Sequence, residues 1–350
     1  MDLYSGHDGD DFMSLREYIH RFPQLRVVMW GDLVADEFID GEIARVSREA
    51  PVLILKRRGR SLAAGGGANA AVNLAALGVQ VRLVGALGAD ESGQELREIF
   101  LRHGIDITGV LTVPGYVTPV KTRILAHHAH TKPQQVVRLD REPEALGPGV
   151  QQRLRRAAAA AVRGAAALLI SDYGYGAVTP AAAAAVRERM PAPALVSADA
   201  RYQIAAYRGL SAATPNESEL EAACGISLGS IASIASIAGS SAGSRTALER
   251  AGRRLRQRLG CEHLLVTRGR DGMALFEPRR PTRHLAVHGS QQALDVTGAG
   301  DTVIATFTAA LAAGASGADA AMLANVAGGL VVMKPGTATI TAAELEAALD

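Results

Sequence analysis

The sequence is poor in cysteine, in aromatic residues and in excess charge of either sign. Its 350 residues include two cysteines, Cys224 and Cys261, which form no CxxC pair, so a disulfide framework or a structural zinc site is not expected. Aromatic residues make up 4%, and 37 basic residues against 35 acidic ones leave a formal net charge of +2. This balance argues against nucleic acid or a membrane surface as a partner.

Three kinds of functional segment are also missing from the sequence. There is no Walker A motif, GxxxxGK[ST], which argues against a P-loop enzyme. The most apolar helical stretches are interrupted by arginine, so none is predicted to span a bilayer. The first residues are acidic and polar, which predicts no secretory signal and favours a cytoplasmic location.

The residues that are present predict a large α/β domain. Hydrophobic residues make up 48% of the chain, enough for a sizeable core. From residue 151 onward, apolar strand patterns alternate with helical patterns, which is typical of a parallel sheet. We therefore predict a mainly parallel central sheet with helices on both faces over residues 25–350. Residues 1–24 are predicted to be an N-terminal extension, disordered over 1–12, and residues 227–244 a low-complexity flexible insertion.

One stretch, Leu294–Gly314, combines a glycine-rich turn with an apolar helix predicted over Asp301–Ala313. Gly298 and Gly300 allow the backbone to turn tightly and to approach a ligand closely. The free N–H groups at such a helix start favour an anion. Asp301 at this point could take a proton from an attacking hydroxyl. Its residue type is equally typical of a helix cap, and the pattern alone leaves both interpretations open.

Other polar residues follow predicted strands, where open α/β sheets bind ligands. The strand Arg26–Trp30 leads into Asp32, with Asp36 four residues on, although both could be ordinary loop acids. Asn216-x-x-Glu219 follows another strand and could simply start a helix after Pro215. The run Gly65–Ala70 matches the dinucleotide fingerprint only loosely, because the polar stretch RRGRS separates it from the preceding strand and no strand-borne acid follows about 20 residues on.

The string DVTGAGDT, residues 295–302, resembles the signature of the ribokinase-like (PfkB) sugar kinases. The resemblance covers roughly residues 24–348, with the motifs in the family's order. It implies that Asp301 is the catalytic base and that the turn Gly298, Ala299 and Gly300, with the amide of Asp301, forms an anion hole. It also implies ATP as phosphoryl donor, Mg²⁺, and a small β lid over the sugar. The lid would come from residues 40–60 and 110–140 and would pair into a homodimer.

The family's motifs also assign the remaining candidate site residues. The sugar site would be formed by Asp32, Asp36, Gly66, Gly67, Asn69 and Asp172. The nucleotide site would be formed by Asn216, Glu219, Thr267, Arg268, Gly269, Gly272, Thr297 and Asn325, with Glu219 reaching Mg²⁺ through water. The phosphate of a sugar phosphate needs cations, and the candidates are Arg45, Lys121, Arg123, Arg138 and Arg201, each of which could instead be a solvated surface residue.

Several strings resemble one branch of the family, the kinases that phosphorylate C1 of D-glycero-D-manno-heptose 7-phosphate. They include GDLVADEF, QQVVRLD, SDYGYGAVT and ANVAGGLVVMKPGTATI. Three features differ from that branch: Tyr175 replaces Lys, residues 198–201 (ADAR) replace Asp-Pro-Lys, and residues 227–244 are inserted. The alternatives are a kinase for a fructose- or ribose-type sugar or sugar phosphate, a sugar sensor without catalysis, and a nicotinamide dehydrogenase based on Gly65–Ala70.

Overall fold

The computed structural model describes residues 14–127, 133–228, 242–289 and 293–349. The predicted disordered segment 1–12 and most of the predicted insertion 227–244 lie outside these ranges. The end of that insertion is helical, because a helix begins at Ala242. The flexible assignment was therefore wrong for residues 242–244, which start a long helix.

The helices are α1 (Leu15–Arg21), α2 (Gly67–Ala76), α3 (Glu91–Arg102), α4 (Pro148–Ala161), α5 (Pro180–Arg187), α6 (Glu217–Cys224), α7 (Ala242–Leu259), α8 (Ala299–Ala312), α9 (Gly317–Val331) and α10 (Ala342–Ala347). Short 3₁₀ turns cover Phe22–Gln24, Ile204–Ala206 and Gly269–Asp271. Within the described ranges, no helix has the length and apolar composition needed to cross a membrane.

The strands are β1 (Arg26–Gly31), β2 (Leu33–Val46), β3 (Leu53–Gly66), β4 (Gln80–Leu87), β5 (Asp106–Thr112), β6 (Val120–His127), β7 (Gln134–Arg141), β8 (Ala167–Asp172), β9 (Leu195–Ala200), β10 (Ala212–Ala213), β11 (His263–Thr267), β12 (Met273–Phe276) and β13 (Arg283–Leu285).

A nine-stranded sheet forms the centre of the molecule, in the order β13-β12-β11-β10-β9-β8-β1-β4-β5. The strands from β11 to β5 pair in parallel, and β12 and β13 add an antiparallel edge. Parallel strands all end at the same edge of a sheet, so the loops after β1, β8, β9 and β11 meet there. The predicted α/β class with a mainly parallel sheet is confirmed.

Helices cover both faces of this sheet, as its strand pattern requires. Alternate residues of a strand point to opposite faces, and β1 shows this directly. Val27 and Met29 belong to a core built with α2, α3, α8 and α9. Val28 and Trp30 belong to a second core built with α4, α5, α6 and α7. The central strands are therefore buried on both sides, which explains their nearly continuous apolar sequences.

A separate four-stranded sheet, in the order β3-β2-β6-β7, stands beside the large one and is called the small sheet below. Its strands β2 and β3 together extend beyond both ends of the predicted segment 40–60. Strand β3 runs through the polar stretch RRGRS directly to Gly66. The predicted break before the glycines was therefore wrong, because charged residues are tolerated on a strand exposed on one face. Asp106–Thr112 pairs with β4 in the large sheet, so the start of the 110–140 segment was assigned to the wrong sheet.

The N-terminal segment is packed on the domain from Ser14 onward. Ser14 and Glu17 form a reciprocal capping box at the start of α1, which satisfies two otherwise free backbone donors. Tyr18, Ile19 and Phe22 are buried in the first core. Residues 14–24 of the predicted extension are thus part of the packed structure.

Candidate active site

The first turn of α8 lies at the carboxyl edge of the large sheet. Gly298 precedes the helix with φ +76°, a conformation that glycine adopts without strain. The N–H of Ala299 donates to the carbonyl of Val296 at 3.3 Å. The N–H groups of Gly300 and Asp301 have no acceptor among the described residues. Two amides, rather than the three expected, are therefore free to hold an anion at this helix start.

Asp301 is buried, and each of its carboxylate oxygens receives one hydrogen bond. Asn69 Nδ2 donates to Oδ2 at 2.9 Å, and the Tyr173 hydroxyl donates to Oδ1 at 3.2 Å. Burial raises the pKa of Asp301 to about 7, an effect that Asp36 reinforces and that Asn69, Lys121 and Tyr173 oppose. A carboxylate with a pKa near neutrality is suited to accept a proton during catalysis.

Asn69 holds Asp301 in place, and its own polar atoms are all used inside the protein. Its Nδ2 also approaches the carbonyl of Gly298 at 3.3 Å, and its Oδ1 accepts from Asn73 Nδ2 at 2.9 Å. Thr302 Oγ1 donates to Asn73 Oδ1 at 3.0 Å. This buried polar chain joins α2 to α8. These bonds give Asn69 a positioning role toward Asp301, and its contact with a sugar hydroxyl stays a prediction.

Gly66 and Gly67 are required by close packing within the protein. A Cβ on Gly67 would lie 2.2 Å from Met29 Cε and 2.8 Å from the carbonyl oxygen of Asp32. Gly66 has φ +52°, and a Cβ there would lie 3.0 Å from the ring of Tyr173. These contacts place α2 against β1 and the loop after β8. Both glycines are therefore needed for the packing of α2, and the approach of a sugar to them stays a prediction.

Asp32 and Asp172 both hold the loop 173–177. Asp32 is buried and accepts from the N–H groups of Tyr173, Tyr175 and Ala177 at 2.8, 3.1 and 3.0 Å. Burial raises the pKa of Asp32 to about 6, although these three bonds oppose the rise. Asp172 accepts from the N–H of Gly174 at 3.0 Å and from the side chains of Tyr207 and Gln203 at 2.7 and 3.0 Å. Their contacts with a sugar stay a prediction, because a carboxylate that accepts these bonds retains further acceptor capacity.

The small sheet brings three of the predicted sugar-site residues to Asp301. Asp36 on β2 is buried, forms an ion pair with Arg123 at 3.1 Å, and accepts from Thr337 Oγ1 at 3.1 Å. Lys121 Nζ lies 4.6 Å from the centre of the Tyr173 ring. Burial lowers the pKa of Lys121, while the charges of Asp36 and Asp301 oppose the decrease. Of Lys121 and Arg123, only Arg123 has an ion pair with a carboxylate among the described residues, so the charge of Lys121 is unpaired there.

Two other predicted cations, Arg138 and Arg45, make no bond with Asp301 in the described part of the chain. Arg138 forms an ion pair with Asp140 on the fully exposed strand β7. Arg45 is nine residues beyond Asp36 on β2, which corresponds to about 30 Å of extended strand. Neither residue lines the cavity beside Asp301, and their contact with a substrate phosphate stays a prediction. The alternative of a solvated surface residue fits both of them.

A cavity of about 570 Å³ opens beside Asp301 and Gly300 and is lined on its other side by Asp199, Arg201, Asn216 and Glu219. Asn216 and Glu219 form a reciprocal capping box at the start of α6, with both bonds at 2.9 Å. The helix-start interpretation of this motif is therefore correct locally. The same box fixes the Glu219 carboxylate at the cavity wall, so the two interpretations are compatible.

Asp199 and Glu219 form the part of this cavity that suits a divalent cation. Burial raises the pKa of both, and for Asp199 the charges of Glu219 and Asp301 add to the effect. Asp199 accepts no hydrogen bond from the described part of the chain. The described residues include no cluster of three or more His, Cys, Asp or Glu side chains that could hold a metal. A pair of carboxylates nonetheless fits Mg²⁺, which is commonly held by one or two carboxylates together with substrate phosphates.

The sequence-based assignment missed Asp199 and Tyr173. Asp199 lies near the end of β9, so the strand-end rule that selected Asp32 could have found it. Tyr173 follows β8 but reaches a residue 128 positions away. No local pattern signals that contact.

A second cavity of about 480 Å³ adjoins the first at Asn216, Thr267, Val296 and Gly300. Its walls are mainly apolar and include Gly269, Gly272, Met273, Val287, Asn325, Gly328, Gly329 and Val332. Asn325 donates to the carbonyl of Ala286 at 2.7 Å, and its side-chain oxygen accepts no hydrogen bond from the residues that the structure describes. An apolar slot with one fixed acceptor suits a flat heterocyclic base.

Two predicted nucleotide residues line neither cavity. Arg268 donates to Glu217 at 2.8 Å, so its guanidinium is engaged within the protein. The N–H of Thr297 donates to Asp295 at 2.9 Å, which helps to close the turn before α8. Both residues stabilise loops around the cavities. The remaining residues of the predicted nucleotide set lie on the cavity walls.

The pfkB family carbohydrate kinase model matches residues 26–343. The chain belongs to the pfkB family of carbohydrate kinases. It is therefore an ATP-dependent carbohydrate kinase, as the motif around Asp301 predicted. Membership also removes the dehydrogenase alternative, since Gly65–Ala70 follows a strand of the small sheet rather than a parallel strand of the large one.

Curated relatives cover almost the whole chain. The bifunctional protein HldE of Trichlorobacter lovleyi is 36% identical over 344 residues, which is 97% of this chain and 66% of the relative. The bifunctional protein HldE of Halorhodospira halophila is 41% identical over 336 residues, which is 94% of this chain and 64% of the relative. The chain thus spans about two thirds of the length of these relatives.

Solved structures show the same fold. Arabidopsis thaliana ribokinase, in a complex with ribose and ATP, superposes with a TM-score of 0.66 at 21% identity and covers 93% of this chain and 98% of its own. Escherichia coli phosphofructokinase-2, with substrates and products, superposes with a TM-score of 0.69 at 16% identity and covers 92% and 97%. At these identities, the likeness establishes the ribokinase-like architecture.

Proposed function

We propose that this kinase transfers the γ-phosphoryl group of ATP to the C1 hydroxyl of D-glycero-D-manno-heptose 7-phosphate in the cytoplasm. One observation supports the kinase chemistry. The Asp301 carboxylate lies at the same helix start as the N–H groups of Gly300 and Asp301, which have no acceptor among the described residues. The branch-like strings of the sequence support the heptose, and so does the similarity to relatives named HldE.

The reaction requires a proton acceptor and donors for the transferred group. Asp301 would accept the proton of the sugar hydroxyl while the hydroxyl oxygen bonds to the γ-phosphorus and the bond to ADP breaks. The N–H groups of Gly300 and Asp301 would stabilise charge on the phosphoryl oxygens. Asp199 and Glu219 would hold Mg²⁺, Glu219 through water, and the ion when bound neutralises phosphate charge.

Lys121 is the best candidate for contact with an anionic group of the sugar. It lies on the small sheet beside Asp301, and its pKa is lowered by burial. A buried cation is stabilised when a substrate anion pairs with it. Arg123 is less suited because its guanidinium already pairs with Asp36. This difference favours a sugar phosphate over a neutral sugar.

The acceptor is identified by comparing kcat/KM for heptose 7-phosphate, fructose 6-phosphate, fructose and ribose at saturating MgATP. We expect the heptose phosphate to be preferred over both neutral sugars. The product should carry the new phosphate on C1, which ³¹P–¹H correlation spectra can show. A preference for ribose or fructose would remove the heptose assignment and leave the kinase family in place.

The activity should depend on pH through Asp301. Only the ionised carboxylate accepts a proton, and its pKa is about 7, so kcat/KM for the sugar should fall about tenfold per pH unit below pH 7 and level off above it. Replacing Lys121 with methionine removes a charge that lowers the pKa of Asp301. The decrease of kcat/KM on the acidic side of the profile should therefore begin at a higher pH. A flat profile between pH 5 and 8 in the wild type would contradict this assignment.

We also propose that two copies of the chain associate through their small sheets. The edge strand β7 is exposed along its whole length, including Val136, Val137 and Leu139. Val52 and Leu53, at the start of the other edge, are exposed as well. Unpaired edges with apolar side chains are prone to pairing. Sedimentation equilibrium should give the mass of two chains, and the mass of one chain at micromolar concentration would contradict the proposal.

A further inference from the structure

Tyr173 connects the proposed base with the cation beside it. Its hydroxyl lies 3.2 Å from Asp301 Oδ1, and its ring lies beneath Lys121 Nζ at 4.6 Å. The ring also lies against Gly66, where a Cβ would approach Tyr173 Cε2 to 3.0 Å. Three elements, α8, β6 and the end of β3, therefore meet at this one side chain.

Hydrogen bonds to two buried carboxylates fix the backbone at Tyr173 and Gly174. Its N–H donates to Asp32 Oδ2 at 2.8 Å, and the next residue, Gly174, donates to Asp172 Oδ1 at 3.0 Å. Both carboxylates are about 1–2% exposed. Asp172 is itself held by Tyr207 and Gln203. Two buried acids thus hold the loop, which gives the ring of Tyr173 a defined place over the site.

The Asp301 carboxylate needs such support, because its terminal torsion is broad and roughly two-fold. Asn69 fixes Oδ2 at 2.9 Å, and the hydroxyl of Tyr173 is the donor to the other oxygen. The charged groups facing Asp301 are Asp36 and Lys121 from the small sheet and Asp199 from β9. None of them donates a hydrogen bond to it among the described residues.

We propose that Tyr173 is a positioning residue for phosphoryl transfer, whose hydroxyl holds the Asp301 carboxylate in the orientation that accepts the proton of the sugar. This inference rests on the proposed role of Asp301 as the base. It does not depend on which sugar is the acceptor. Holding a reacting group in its productive geometry accounts for a large part of the rate of such reactions.

The test is Tyr173→Phe, which removes the hydroxyl and keeps the ring against Lys121 and Gly66. We expect kcat to fall about 10- to 100-fold, since misplacement of about 1 Å has effects of this order. The KM for ATP and the melting temperature should stay near the wild-type values. Tyr175→Phe is the matched control, because it lies in the same loop and its hydroxyl contacts Glu142 at 3.3 Å rather than Asp301. It should leave kcat unchanged.

A double-mutant cycle separates positioning of Asp301 from any other role. In an Asp301→Asn background, Tyr173→Phe should cause no further loss, because no base remains to be oriented. Losses that multiply would show that Tyr173 acts elsewhere and would overturn the proposal, as would an unchanged kcat in the single variant. The assays use the acceptor that the wild type phosphorylates best. A different sugar therefore changes the proposed function alone, whereas full activity of Asp301→Asn removes the base and this proposal together.

Discussion

Asp301→Asn is expected to lower kcat by about 10²–10⁴-fold, the usual effect of losing a general base. Asparagine has nearly the shape of aspartate, so the turn and the helix should remain. The amide can still bond with Asn69 and Tyr173, but it cannot accept the proton of the sugar hydroxyl. ATP affinity should persist or increase, because a negative charge next to the phosphate site is removed. Steady-state kcat and calorimetric ATP binding measure the two effects separately.

The control for this variant is Asp319→Asn. Asp319 is the third residue of α9, as Asp301 is of α8, and it accepts a 2.7 Å bond from Ser316. If Asp301 were only a helix-cap residue, the two substitutions would have similar small effects. A kcat for Asp301→Asn within a few-fold of the wild-type value would refute the role of Asp301 as base.

Gly300→Val should lower kcat/KM for ATP by about 10²-fold or more. Gly300 is the second residue of α8, and a Cβ there would meet no protein atom within 4 Å, because it would project into the cavity. The added side chain would occupy space proposed for the phosphates, and displacement of a reacting group by about 1 Å can cost 10²-fold in rate. Fold stability should change little, because valine is no worse than glycine within a helix.

Gly149→Val is the matched control for Gly300→Val. Gly149 is likewise the second residue of a helix, α4, and a Cβ there also meets nothing within 4 Å. It lines neither of the two cavities proposed for the nucleotide and should leave ATP kinetics at the wild-type level. Equal kinetics for the two valine variants would show that the first turn of α8 does not receive the phosphates.

The local features of the chain could be predicted from its sequence with good accuracy. The helix expected over Asp301–Ala313 spans Ala299–Ala312, because its apolar residues and the preceding glycines are local signals. The parallel sheet followed from the alternation of strands and helices. The polar stretch in β3 misled the assignment, since the pairing of β3 with β2 outweighs its local composition.

The individual roles of the buried polar residues could not be predicted from the sequence. A strand-end position brings Asp32 and Asp172 to the correct edge of the large sheet, and β2 of the small sheet carries Asp36. These positions do not show which carboxylates are used internally. Asp32 is taken up by backbone donors more than 140 positions away. Asp36 instead lies beside Lys121 and Arg123. Such partners are set by the tertiary fold, so the sequence alone leaves their roles open.

The most direct test is a crystal structure of the wild-type protein with Mg²⁺ and a non-hydrolysable ATP analogue. We expect the γ-phosphate to accept hydrogen bonds from the N–H groups of Gly300 and Asp301. The base should lie against Asn325 in the adjoining apolar cavity, and Mg²⁺ should lie by Asp199 and Glu219. A nucleotide bound instead over Gly65–Asn69, with the first turn of α8 empty, would contradict it.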